Sequence, residues 1–176
     1  RIAHRHATRA VSLNETESMP RVALSRVLML QGQGDLAIKE AEEAVLLNPS
    51  SSVAVMCLSL AHFWNGNARE AIVNVDMSLR LSPRGPFREF KWTMKCGALY
   101  VLGEIDEALE LGRQVASVFQ TGPVAPMIYA VVLVRQNKID EARQMIGEIR
   151  EAWPGITIGH LKKNWRYLYP DYLSMI

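Results

Sequence analysis

Apolar residues along this chain recur three and four positions apart and never settle into sustained alternation, which is the periodicity of helices rather than strands. Proline and polar clusters cut the pattern into segments, at Asn48-Pro49-Ser50-Ser51-Ser52, Ser82-Pro83-Arg84-Gly85-Pro86, Thr121-Gly122-Pro123 and Trp153-Pro154-Gly155. A proline so placed ends one helix and permits the next. Each segment divides again at a glycine or asparagine. The spacing predicts paired helices over 21–30 and 36–47, 53–64 and 68–81, 87–102 and 105–119, and 125–135 and 139–153.

The dividing residue is followed five positions later by alanine every time: Gly32 and Ala37, Gly66 and Ala71, Gly103 and Ala108, Asn137 and Ala142. The four turns lie 34, 37 and 34 residues apart. A fixed period of this size marks a stacked repeat, and such an array is more often a binding surface than an active site. Glycine suits the turn because a helix C-terminus commonly needs a left-handed residue there, and asparagine is the next best choice. Helices joined this tightly form antiparallel hairpins.

The spacing resembles the tetratricopeptide repeat. Leu24, Ser25, Leu28, Gly32, Ala37, Ala41, Ala44 and Pro49 occupy that pattern in the first repeat, and Leu58, Ser59, His62, Gly66, Ala71, Val75, Ser78 and Pro83 in the second. Trp92, Cys96, Leu99, Gly103, Ala108, Gly112 and Val115 follow, with Gln120 where proline is expected, and then Tyr129, Ala130, Leu133, Ala142, Ile146, Ile149 and Pro154. Ala3, Ala7 and Ala10 continue the register one period earlier, so 1–15 read as the second helix of a truncated repeat. The resemblance implies an all-α fold, a right-handed superhelical array of antiparallel helix hairpins. Its repeats would span 18–51, 52–86, 87–122 and 123–155, with a capping segment over 156–176.

A narrower resemblance joins the Arg80-Leu81-Ser82-Pro83-Arg84 turn, a three-residue insertion before the third repeat, the Pro154-Gly155-Ile156-Thr157-Ile158 exit and Tyr169-Pro170-Asp171-Tyr172-Leu173. This arrangement is similar to the repeat segment downstream of bacterial class III adenylate cyclase domains. No cyclase catalytic motif is present. The chain opens Arg1-Ile2-Ala3 without an initiator methionine, so the expectation is a piece of a longer protein with a missing N-terminal domain.

One stripe on the first helices, spaced three, four and three, lies on a single helical face. It reads Met19, Val22, Arg26, Met29; Val53, Met56, Leu60, Phe63; Phe90, Thr93, Gly97, Tyr100; and Val124, Met127, Val131, Val134. The resemblance implies that this face lines the concave groove. A groove for a peptide's terminal carboxylate would need several Lys, Arg and Asn, and only Arg26 is charged. The expected surface is apolar, adaptable and methionine-containing, suited to an amphipathic partner helix. The candidate contact residues are Val22, Arg26, Met29, Met56, Leu60, Phe63, Phe90, Tyr100, Met127 and Val131. The chain's own C-terminal segment or a second copy are alternative occupants.

Composition removes several other functions. Of 176 residues, 49% are hydrophobic, enough for a sizeable core. The net charge of +2 offers no electrostatic case for nucleic acid or an anionic membrane, and no apolar run reaches the ~20 residues that span a bilayer. Cys57 and Cys96 read as buried small hydrophobes rather than a disulfide or metal site. Asn14-Glu15-Thr16 matches a glycosylation sequon, but no export signal supports it, and a reducing cytoplasm is expected.

No motif here supports a cofactor, a metal or catalysis. Gly32-Gln33-Gly34 with Ala37 resembles a dinucleotide fingerprint but follows a helix, where that chemistry needs a strand. His4, His6, His62 and His160 share no ligand spacing with Cys, Asp or Glu. His62 sits where the repeat usually holds tyrosine, which suits a packed or capped imidazole. Glu40-Glu42-Glu43, Glu104-Asp106-Glu107-Glu110 and Asp140-Glu141 fall in first turns or on outer faces of second helices, where the macrodipole and solvent account for them. The basic and aromatic run 160–167 fits a capping helix better than a stacking platform for single-stranded nucleic acid. The expected function is a non-catalytic protein-interaction module, with homo-oligomerisation or service as the regulatory tail of a cyclase-like protein as alternatives.

Overall fold

The structure, a computed structural model, describes residues 2–116 and 122–156. Among these are nine helices and no strand: α1 (Ile2–Leu13), α2 (Ser18–Leu30), α3 (Gly34–Leu47), α4 (Ser52–Trp64), α5 (Ala68–Leu81), α6 (Arg88–Leu102), α7 (Ile105–Ala116), α8 (Val124–Arg135) and α9 (Ile139–Ala152). The expected end of the 105–119 helix and the capping segment over 157–176, with its 160–167 run and the Tyr169–Leu173 sequence, lie outside the described residues. The chain divides into two compact units, one ending at Gly85 and one beginning at Pro86.

In the first unit α2 pairs with α3 and α4 with α5, while α1 packs on α2. Periodicity places the start of α2 at Arg21, but the helix begins at Ser18 and takes in Pro20. A proline in the first turn is tolerated because its missing N–H has no intrahelical acceptor there. The hairpin turns close through left-handed glycines, Gly32 at φ 72° and Gly66 at φ 92°. Ser51 caps α4 by accepting from the Ala54 amide at 3.2 Å.

The interior of this unit is largely alanine. Ala37, Ala41, Ala44, Ala54 and Ala61 are fully buried, and their small side chains let helices approach closely. Polar pins accompany them. Ser25 Oγ donates to the Ala37 carbonyl at 2.7 Å, and Ser59 Oγ donates to the Ala71 carbonyl at 2.6 Å. Each pin ties the first helix of a hairpin to the second and satisfies a hydroxyl that burial would otherwise penalise. Cys57 Sγ reaches Val22 O at 3.7 Å and Ser25 Oγ at 3.5 Å, joining α4 to α2. At the edge, Asn65 Nδ2 donates to Asp35 Oδ1 at 3.1 Å.

In the second unit α6 pairs with α7 and α8 with α9. Gly103 at φ 79° and Asn137 at φ 57° make the turns. Cys96 Sγ donates to the Ala108 carbonyl at 3.3 Å, the sulfur counterpart of the two serine pins. Ala130 holds the same position in α8 and has no donor to offer. A Cβ on Gly112 would sit 2.7 Å from Tyr129 Cδ2 and 3.4 Å from Cys96 Sγ, so α7 carries glycine where the Tyr129 ring crosses it. Tyr129, Leu133, Ala116 and Ala142 form a core cluster with Leu109 and Met145. The edge bond recurs here, with Gln136 Nε2 donating to Asp106 Oδ1 at 2.6 Å.

Candidate protein-interaction surface

The expected stripe falls on one face of each first helix, but the two units present it differently. In the first unit Val22 and Met29 on α2 are 3% and 4% exposed, and Met56 and Phe63 on α4 are 8% and 5%. Val22 and Met29 belong to the packed core cluster, with Leu60 half-buried against it. This share of the stripe is interior. Arg26 remains exposed, as does Met19 at the N-terminal end of α2. In the second unit Phe90 is 41% exposed and Val134 is 50% exposed. Tyr100, Met127 and Val131 are half-buried, while Thr93 and Gly97 are buried.

Register explains the contrast. The α4 residues in the core cluster shared with α2 include Ala54, Cys57 and Ala61. The same repeat positions on α8 carry Ala125, Ile128 and Val132. Small side chains on α4 permit close approach to α2, whereas two of the three α8 positions carry larger ones, and interiors pack at a fixed density.

Burial shapes the titratable groups near these faces. Burial pushes the Cys57 thiol up, against weaker opposing effects of the Ser25 hydrogen bond and the Arg26 charge. Burial pushes the Cys96 thiol up to about 12. Both are protonated at neutral pH, and a thiol in that state is a poor nucleophile and metal ligand. Burial also lowers the His62 pKa, with Glu70 and Glu42 partly opposing it. The imidazole lies on the α4–α5 turn, Nδ1 3.4 Å from Asn67 Nδ2. Among the described residues no three His, Cys, Asp or Glu side chains gather to hold a metal ion, and no helix is long and apolar enough to cross a membrane.

Several members of the acidic clusters are paired. Glu40 accepts from Arg21 at 2.9 Å, Asp140 from Arg143 at 3.0 Å and Glu141 from Lys138 at 2.9 Å. Gly32-Gln33-Gly34 follows helix α2, so no strand precedes it. The residue that sequence reasoning missed is Lys91. It is 1% exposed on α6 beside Phe90, and burial lowers its pKa. Its signal was a lysine set between Phe90 and Trp92. The guanidinium of Arg88 covers the Trp92 ring at 4.9 Å.

No family model matches the chain, and no curated protein matches it by sequence. Its backbone is similar to solved tetratricopeptide structures. The match to TTC0263, a thermophilic TPR protein of Thermus thermophilus, has a TM-score of 0.75 at 18% identity and covers 98% of this chain and 89% of that one. PilF of Pseudomonas aeruginosa matches with a TM-score of 0.74 at 14% identity, over 96% of this chain and 77% of that one. YrrB, described as a TPR protein with an unusual peptide-binding site, matches with a TM-score of 0.66 at 17% identity, over 96% and 88%. These likenesses, with nine helices and no strand among the described residues, establish the fold as an all-α tetratricopeptide array.

Proposed function

We propose that the chain is a non-catalytic interaction module that docks an apolar or amphipathic protein segment on the stripe of its second unit. The observation that carries this reading is the exposure of Phe90 and Val134, with half-buried Tyr100, Met127 and Val131 on the same helices. Apolar side chains at three- and four-residue spacing present a row that an amphipathic helix matches. The likeness to YrrB, a TPR protein with a peptide-binding site, is in keeping with a peptide ligand. The partner is a protein or peptide helix, with no nucleic acid or membrane involved, and the expected setting is the cytoplasm.

The test is fluorescence anisotropy with a panel of amphipathic model helices bearing Leu or Phe at i, i+3 and i+7. The wild-type chain binds members of the panel, and Phe90→Asp with Val134→Asp loses that binding while retaining helix content by circular dichroism. No binding by the wild type, or full binding by the double variant, overturns the proposal.

A second reading is self-association through α1, favoured by Ile2 and Leu13, which are about 70% exposed. Light scattering that reports a monomer at every concentration excludes it. The cyclase-tail reading rests on the Arg80–Arg84 turn and its insertion, at the point where the two units divide. A reading frame with a cyclase domain upstream supports it, and nucleotide turnover by residues 1–176 alone would overturn the non-catalytic reading.

A further inference from the structure

The four equivalent hairpin turns differ in one respect that matters chemically. They read Gln31-Gly32, Asn65-Gly66, Leu102-Gly103 and Gln136-Asn137. Only the second joins an asparagine to a glycine. Asn65 is exposed, and Gly66 has no side chain to shield its backbone nitrogen. The backbone N–H of Gly66 donates to Phe63 O at 3.3 Å, whereas the turn residues Gly32, Gly103 and Asn137 make the same bond at 3.0, 3.1 and 3.0 Å. The nitrogen beside the Asn65 carboxamide thus makes the longest of the four bonds.

That carboxamide is also part of the fold. It donates to Asp35 Oδ1 at 3.1 Å and ties the start of α3 to the end of α4. A Cβ on Gly34 would run into the Asn65 side chain, so the sequence leaves space for the amide. The second unit repeats the bond through Gln136 and Asp106. A glutamine followed by asparagine closes the corresponding ring far less readily, because the ring is six-membered and the next residue carries a side chain.

We propose that Asn65 is a site of covalent ageing, where deamidation turns this amide-to-carboxylate tie into a like-charge contact. The Gly66 nitrogen attacks Asn65 Cγ and forms the C–N bond of a succinimide. The Cγ–N bond of the carboxamide breaks, and ammonia leaves with the proton lost from the Gly66 amide. Water then adds to either carbonyl of the ring and opens it to aspartate or isoaspartate. The sum is asparagine plus water giving an acidic residue plus ammonia, with no oxidant or reductant. The product loses the donor that Asp35 accepts from and sets a second anion beside it, which is destabilising. Isoaspartate also adds a backbone methylene at a left-handed helix end, where the turn geometry tolerates it least.

The experiment incubates the folded chain, and separately the chain in urea, at neutral pH and 37 °C. Peptide mass spectrometry then follows the peptide containing Asn65, and isoaspartyl methyltransferase labelling follows isoaspartate. The expected result is a gain of one mass unit at Asn65 in the folded chain, with isoaspartate label, while Gln31 and Gln136 stay unchanged. Asn65→Asp should lower the melting temperature, and adding Asp35→Asn should recover most of that loss. Mass gain in urea but none in the folded chain overturns the proposal, since the turn then protects the amide. An Asn65→Asp variant that melts with the wild type overturns the part assigned to the tie.

Discussion

The first and second units carry corresponding rows at the same helical spacing, and they differ in which members are covered: Val22, Met29, Met56 and Phe63 are buried in the first, whereas Thr93 and Gly97 alone are buried in the second. In the first, Val22 and Met29 lie in the core cluster shared by α2 and α4, and Met56 and Phe63 are buried as well. In the second, its ends stay in solvent at Phe90 and Val134. Apolar spacing fixes which face a residue occupies, while burial is decided by what packs on that face. A row of this kind therefore cannot be taken as a groove from its spacing alone.

The contrast can be broken most directly by charge. Phe63→Asp should cost about 3 kcal/mol or more, because a carboxylate enters a packed interior. Phe90→Asp should stay within about 0.5 kcal/mol, as surface changes usually do. Urea denaturation of both variants checks the pair, and similar midpoints would erase the distinction. Next comes bulk. Cys57→Ile with Ala61→Val gives α4 the side chains of α8 and should cost roughly 2 kcal/mol by overpacking. Hydrogen exchange of α2 and α4 should accelerate with it, and unchanged exchange would show that side-chain size does not set the closure.

Gly112→Ala tests the second unit. Its Cβ meets the Tyr129 ring and the Cys96 sulfur, both with little room to move, and a loss of about 1–2 kcal/mol is expected in the urea midpoint. The polar pins come after that. Ser59→Ala should cost about 1 kcal/mol, leaving the Ala71 carbonyl its helical bond only.

The smallest effect is electrostatic and confined to the first unit, since the described residues of the second hold no histidine. Burial lowers the His62 pKa below its ordinary 6.5. Well above pH 6.5 the imidazole is neutral folded or unfolded and contributes no pH dependence. As pH falls through that value the unfolded chain takes up the proton first, so stability drops until the folded imidazole is protonated too. His62→Gln should flatten this part of the stability profile, on the acid side of neutrality, and an unchanged profile would assign it elsewhere.

The helices and turns were legible because they rest on local chemistry. Gly32, Gly66, Gly103 and Asn137 announce left-handed turns, and all four adopt them. The start of α2 lies three residues ahead of the 21–30 span, with Pro20 in its first turn. The state of the stripe was hidden for a different reason. Val22 and Met29 look like groove residues by spacing, but they pack in one core cluster with Cys57 and Ala61 of another helix, a pairing that spacing does not display. Lys91 was missed because lysine normally signals solvent.

The hydroxyl and thiol pins of Ser25, Ser59 and Cys96 have a mechanical consequence. Each couples a side chain near the middle of a first helix to a carbonyl in its mate, so neither rod can slide along the other without stripping a buried donor. Hairpins restrained this way resist axial slip. Accommodation of a guest within a unit then has to come from the gaps where one hairpin meets the next, where Asn65 and Gln136 sit.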